Sequence, residues 1–347
     1  MGKSISLAFV TLTFVGCLGI WVGGCQTSEQ KVEKLISNLQ NKNPKNRQSA
    51  ETALTKMGTV AVPALIQALQ DPKNRQRVVG VLAKIGEDAS DAVPALLKIL
   101  QYPDVNWHVV EALAKVGRNA MPALIQALQD PKNRQHVVEV LAKIGEDASD
   151  AVPALVQLLS DEDVNVRASA AQALGAIRNG AADSVSGLVQ LLLDEDANVR
   201  VNAAEALVEI GIDAVPALVQ LLSDEDANVR ASVVWALAKI GKSAVPSLIQ
   251  MLQSKNVQTR ISAAGILGQI ETLDATPALM QALQDSDLRV RREAALALGH
   301  IEAVDAVSAL IKLLQDENES VRFHAVLALK QIGTAEALKA AEEYELR

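Results

Sequence analysis

Aromatic side chains make up 2% of the 347 residues, and the chain has two cysteines and four histidines. Two cysteines exclude a disulfide framework. The scarcity of rings leaves Ala, Val, Leu and Ile to build the interior, a composition suited to closely packed helices. Catalytic signatures are missing as well. The chain has no glycine-rich phosphate loop, no G-x-S-x-G turn and no H-E-x-x-H helix, which removes the standard routes to phosphoryl transfer, acyl hydrolysis and zinc-dependent hydrolysis. Basic residues are outnumbered, 33 against 41 acidic, for a net charge of −8. Nucleic-acid affinity comes largely from Lys and Arg neutralising phosphates, so the balance argues against a nucleic-acid partner. What is plentiful is core-forming material, 49% of the residues.

Residues 1–24 stand apart from the rest. Lys3 is their only charge, and an apolar run from Ile5 to Gly24 leads to Cys25 and the polar Gln26-Thr27-Ser28. This layout is that of a secretion signal. Its end, Val22-Gly23-Gly24-Cys25, resembles the bacterial lipobox of an aliphatic residue, two small residues and a cysteine. The resemblance implies that Cys25 is acylated and becomes the mature N-terminus, with residues 25–30 as a tether. Cys17 follows Phe14-Val15-Gly16 and fits that pattern less well. An uncleaved anchor is the alternative, because about twenty apolar residues span a bilayer. Both readings place the protein at a membrane, exported from the cytoplasm. Cleavage before Cys25 removes one Lys, leaving 32 basic against 41 acidic residues and a charge of −9.

From residue 31 onward one pattern recurs about every thirty residues, ten times in all. Its clearest marks are Val62-Pro63-Ala64-Leu65, Val93-Pro94-Ala95-Leu96, Met121-Pro122-Ala123-Leu124, Val152-Pro153-Ala154-Leu155, Val215-Pro216-Ala217-Leu218 and Val245-Pro246-Ser247-Leu248. That period is too short for a domain and right for a helical hairpin, which buries its apolar side only by stacking on copies of itself. In the copy at 213–241, Val215, Leu218, Leu221 and Leu222 form one helical stripe. Pro216 suits the first turn, where its missing N–H costs nothing. The Asp224-Glu225-Asp226 turn supplies the N-cap of a second helix, which Gly241 ends in a left-handed conformation. Residues 63–97 return as 122–156 with differences only at Arg77/His136, Gly80/Glu139 and Leu97/Val156, which points to duplication of a two-repeat unit.

These features resemble the HEAT family, and within it the short repeats of phycobilisome-lyase-like proteins, over residues 31–347. The resemblance implies an all-α solenoid of about ten hairpins wound into a right-handed superhelix, first helices outside and second helices lining the concave side. The family's Asp and Arg, six residues apart, recur as Asp161/Arg167, Asp194/Arg200, Asp224/Arg230, Asp285/Arg291 and Asp316/Arg322. An Arg in the first turn of the second helix reaches the preceding acidic turn and its neighbour, giving a structural ladder of charge-assisted hydrogen bonds. The ladder is doubtful at Arg260, which faces Ser254, and where Asn106 takes the Arg position. In 71–75 and 130–134 the Asp-to-Arg spacing falls to four.

Offsets of two, five and nine residues beyond the Arg position share one face of the second helix. They select Arg77, His108, Glu111, His136, Glu139, Gln172, Glu205, Trp235, Lys239, His300 and His324 as a partner-binding concave surface. Trp235, where other copies carry Gln or Glu, suits an interface anchor, with inter-repeat packing as the alternative; Trp107 reads as packing at a helix edge. His108-x-x-Glu111 and His136-x-x-Glu139 on adjacent repeats permit a metal site, against a solvated face of pairs such as Glu111/Lys115 and Glu139/Lys143. The HEAT-type deoxyhypusine hydroxylases hold iron through His-Glu dipeptides, which are absent here: the histidines precede Val109, Val137, Ile301 and Ala325. The expectation is a membrane-tethered scaffold for a protein or peptide, with no cofactor, no metal and no reaction. A bilin-lyase-like or metal-dependent enzyme role is the alternative.

Overall fold

The computed structural model describes residues 27–178 and 180–346. Cys17, Cys25 and residues 1–24 lie outside them. The described chain is helical, with no strand among these residues, and forms ten helical hairpins followed by one more helix. First helices are short, mostly seven residues, as in Val152–Leu158 (α9) and Val185–Leu191 (α11), and second helices run to about fourteen, as in Val164–Ile177 (α10) and Ala197–Ile210 (α12). Helices this short are marginal alone, and burial of their apolar stripes against neighbouring hairpins holds them. One continuous core runs the length of the stack through residues such as Leu65, Leu96, Leu124, Leu155, Leu188, Leu218, Leu248, Leu279 and Leu310, all fully buried. The Val-Pro-Ala-Leu quartet is therefore a packing device: where it occurs, Val starts the first helix, Pro fills its first turn and Leu enters the core.

The turns divide labour between two acidic residues. The third, Asp163, Asp196, Asp226 or Asp287, is the N-cap, its carboxylate accepting from the amide two residues on. The first, such as Asp161 or Asp194, accepts the amide of that capping residue at 2.9 Å and is left to meet an Arg. In the short turns Asp71 and Asp130 are the N-caps. The residue six before Arg75 is Leu69, and Arg75 bonds its carbonyl at 3.3 Å. The repeat has lost the ladder aspartate there and kept the cap.

One detail of the hairpins differs from expectation. Gly241 and Gly211 end their helices with φ of 70° and 77°, but with ψ of −135° and −126°, not in the left-handed helical region. The chain passes directly from the second helix into a 3₁₀ turn that feeds the next first helix, a conformation still more restricted to glycine. Glycine is thus read correctly as the stop, with a different geometry.

Second helices pack on one another far more closely than first helices do. The shorter spacing makes the second-helix side the inner side of the curve. From α8 (Pro131–Ile144) onward this spacing follows one pair of positions: the residue eight beyond the Arg position and the residue six beyond it in the next second helix. The closest packing occurs at Gly175/Ala206, at Gly268/Ala297 between α16 (Val257–Gln269) and α18 (Leu288–His300), and at Gly299/Ala328 between α18 and α20 (Glu319–Ile332). A Cβ on any of the three glycines would lie 2.8 Å from the partner alanine Cα. The equivalent pairs Ala142/Ala173, Val208/Ala236 and Ala238/Ile266 are progressively larger, and their helices pack progressively less closely. Backbone approach follows side-chain size, as close packing demands.

The helix Thr276–Ala282 (α17) opens on Thr276 where most copies have Val. The Thr276 hydroxyl is buried and finds no partner among the described residues. Thr276→Val is expected to stabilise the fold by about 1 kcal/mol, because it removes an unsatisfied buried oxygen at constant shape. Urea titration followed by circular dichroism measures it, and a lowered midpoint would contradict this account.

Candidate functional site

The ladder runs one repeat further than the intra-repeat pairing implies. In the six-residue turns each Arg donates Nη1 to the backbone carbonyl six residues back, as Arg167 does to Asp161 at 2.9 Å and Arg291 to Asp285 at 2.9 Å. In three of them, Arg167, Arg260 and Arg291, the remaining donors cross to the first Asp of the next turn. Arg167 holds Asp194 at 2.8 and 3.1 Å, Arg260 holds Asp285 at 2.7 and 2.9 Å, and Arg291 holds Asp316 at 2.8 and 3.0 Å. Arg134 crosses to Asp161 through Nη1 alone, its Nε donating to the Leu128 carbonyl. The doubt raised at Arg260 therefore falls elsewhere: Ser254 is the missing partner of Arg230, while Arg260 has a full bidentate pair. Arg200 and Arg230 bond only the carbonyls of Asp194 and Glu195 and of Asp224 and Glu225. At the ends tyrosines stand in: Arg75 lies 4.4 Å from the Tyr102 ring centre, and Arg322 donates to the Tyr344 hydroxyl at 2.8 Å.

Electrostatics follow from this geometry. The Arg167 hydrogen bond, helped by the Asp196 amide, outweighs burial and holds the Asp194 carboxyl below the usual range. For Asp285 and Asp316 burial is the largest influence and works upward, but the guanidinium and a backbone amide together overcome it. These perturbed carboxyls lie in the structural turns, away from the inner face.

On that face the second helices α10, α12 and α14 (Ala227–Ile240) bring Gln172, Glu205, Trp235 and Lys239 to one groove of about 470 Å³, floored by Gly175 and Ala206. Trp235 is 41% exposed. Its other side borders an apolar groove of about 420 Å³ formed with Val201, Ala204, Ala231 and Ser232. Val201 and Ala231 sit one place beyond the Arg position, a row outside the offsets chosen from the sequence, and so were missed. Trp107 and Phe323 occupy the same row, 58% and 57% exposed, which would have revealed it. The edge-packing reading of Trp107 is corrected accordingly: its ring faces solvent, edge-on to His108, with the Lys143 ammonium 5.5 Å from its centre.

The two His/Glu pairs do not assemble into one cluster. Glu111 is taken by Lys115 at 3.8 Å and by Lys143 of the next helix at 3.5 Å. His108 Nε2 lies 3.1 Å from Gln76 Nε2 on the preceding second helix, and His136 Nδ1 is 3.9 Å from Glu139. Two lysine ammonium groups thus already compensate the Glu111 carboxylate. No group of three His, Cys, Asp or Glu residues is placed to hold a metal among the described residues. Arg77 and His300 are exposed but stand outside the grooves around Trp235, and His324 Nδ1 sits against its own helix carbonyl of Ser320 at 2.6 Å.

Ten stacked hairpins whose conserved-register residues pack and whose inner faces vary define an α-solenoid repeat protein. The chain belongs to the HEAT-repeat family: the model for HEAT repeats matches residues 32–114, 62–131, 121–198, 185–259, 245–310 and 290–344. Among curated proteins none matches it. Among solved structures it is similar to an engineered protein determined by the Northeast Structural Genomics Consortium, with 26% identity over 88% of this chain and 99% of that one, at a TM-score of 0.39. It is also similar to the complex of CpcE and CpcF of phycocyanin lyase from Nostoc sp. PCC7120, with 26% identity over 64% of this chain and 92% of that one, at a TM-score of 0.31.

Proposed function

We propose that the protein is a scaffold that holds a protein or peptide partner against its second-helix face, and that it is fixed to a membrane outside the cytoplasm through an acylated Cys25. The observation that carries the partner reading is Trp235: a large ring, 41% exposed, between an apolar groove on one side and Gln172, Glu205 and Lys239 on the other. Partly exposed Trp beside a desolvatable pocket is the usual anchor of an interface, with polar groups at the rim for orientation. An enzymatic reading would need a nucleophile or a metal set on this face, and its Glu111, His108 and His324 are instead engaged by lysines, a glutamine and a backbone carbonyl.

Trp235→Ala is expected to weaken partner binding by about 30-fold, the loss typical of a single interface anchor. Affinity capture from solubilised membranes, followed by titration of the recovered partner, measures it against Lys312→Ala on a first helix as control. Equal affinity for the wild type and Trp235→Ala would remove this surface from the reading. Mass spectrometry of the mature N-terminus tests the tether, where a diacylated Cys25 is expected and an intact Met1 would leave only the anchor alternative.

A further inference from the structure

Three independent departures from the repeat coincide at α14. Two successive ladder rungs are absent there: Arg200 and Arg230 bond only backbone carbonyls of their own turns, although Asp224 is present for the first and Ser254 stands where the second needs a carboxylate. The spacing pairs on its two sides, Val208/Ala236 and Ala238/Ile266, are larger than the Gly/Ala pairs on either flank, and α14 packs less closely on α12 and on α16 than any other second helix between α8 (Pro131–Ile144) and α20 packs on its neighbours. Its inner face also carries Val233-Val234-Trp235 where α10, α12 and α16 have Ala-Ala followed by Gln, Glu or Gly. On both sides the ladder resumes, with a single-bond rung from Arg134 to Asp161 and a bidentate one from Arg167 to Asp194 before it, and bidentate rungs from Arg260 to Asp285 and Arg291 to Asp316 after it.

We infer that within residues 131–332, where the ladder is otherwise continuous, the solenoid is not a uniform spring but two stiff segments joined at an articulation at α14, whose bending opens and closes the groove between Val201 and Trp235. The physical basis is local. A bidentate Arg–carboxylate pair fixes both distance and angle between consecutive turns, and glycine–alanine contact lets two backbones lock at close range. With both removed at consecutive junctions, bending there costs less than at the junctions that flank it, as at a hinge where few contacts resist rotation. This inference concerns the chain's own mechanics and does not depend on the identity or existence of a partner.

The test uses the full chain with Cys17→Ser and Cys25→Ser and spin labels at register-equivalent exposed positions, one pair per sample: 126/190 before the joint, 190/250 across it and 250/312 after it. Gln126, Gln190, Gln250 and Lys312 each stand five residues after the first residue of a first helix, two repeats apart. Double electron–electron resonance is expected to give a distance distribution about twice as wide for 190/250 as for the two flanking pairs, as expected of motion confined to one joint. Ser254→Asp supplies the carboxylate that Arg230 lacks, and it preserves the turn because Asp161, Asp194 and Asp285 already accept the same backbone amide that Ser254 does. It is expected to narrow the 190/250 distribution and leave the flanking pairs unchanged. Equal widths for the three pairs would overturn the articulation. A broad 190/250 distribution that Ser254→Asp leaves unchanged would overturn the missing rung as its cause.

Discussion

Arg291→Ala lowers the stability of the fold by about 3 kcal/mol, the loss expected when one member of a buried ion pair is removed. The Arg291 and Asp316 side chains are 9% and 10% exposed, so water cannot replace the lost partner. The substitution also frees the Asp285 and Ser286 carbonyls that Nη1 holds. Urea unfolding of wild type and variant measures it. Arg230→Ala is the internal control: Arg230 has no carboxylate partner, only the Asp224 and Glu225 carbonyls, and its removal is expected to cost about 1.5 kcal/mol, the scale of a hydrogen bond with a charged donor and half the loss at Arg291. Equal losses at both positions would show that the carboxylate rungs do not stiffen the stack.

The same rungs fix the direction of the pH dependence. Asp194, Asp285 and Asp316 ionise more readily folded than unfolded. Their contribution is therefore complete above the ordinary aspartate value, near 3.9, and is lost as pH falls through their depressed folded values. Stability is expected to be flat in these groups from neutral pH down to about 5 and to decline below it. In Arg291→Ala the acid loss should be smaller, since Asp316 no longer prefers the charged form. An unchanged acid slope would contradict the assignment.

Gly299→Ala is the second large effect, expected to destabilise by about 1–3 kcal/mol through overpacking. Its new Cβ would stand 2.4 Å from the Gln331 side-chain oxygen and 2.8 Å from the Ala328 Cα. The glutamine can swing away, but the backbone contact relaxes only if α20 moves from α18. Gly80→Ala has the opposite sign. Its Cβ would meet nothing within 4 Å, so the better helix propensity of alanine acts alone and stabilises by up to about 1 kcal/mol. Thermal unfolding of the two variants separates them, and a shift in the same direction for both would mean that helix propensity rather than inter-repeat spacing governs these glycines.

The repeat unit was legible in sequence because its determinants are local. Val-Pro-Ala-Leu, the capping aspartates and the terminal glycines act within one hairpin, through helix periodicity, missing donors and positive φ. The inner-face row with Gln172, Glu205, Trp235 and Lys239 was legible for the same reason, since offsets along one helix fix its faces. The apolar partners of Trp235 were not, because Val201 and Ala204 belong to the next helix and meet it only through the spacing between repeats. The ladder shows the same division. Six-residue spacing within a turn suggested Asp161 with Arg167, whereas rise from one hairpin to the next brings the Arg167 guanidinium to Asp194 and leaves Asp161 to Arg134. By itself, then, the sequence determined the hairpin, its caps, its number and the variable row along each second helix. The tertiary structure decided which arginine meets which aspartate, how near each second helix approaches the next, and where α14 is left loosely held, because those depend on side-chain sizes facing each other across repeats about thirty residues apart.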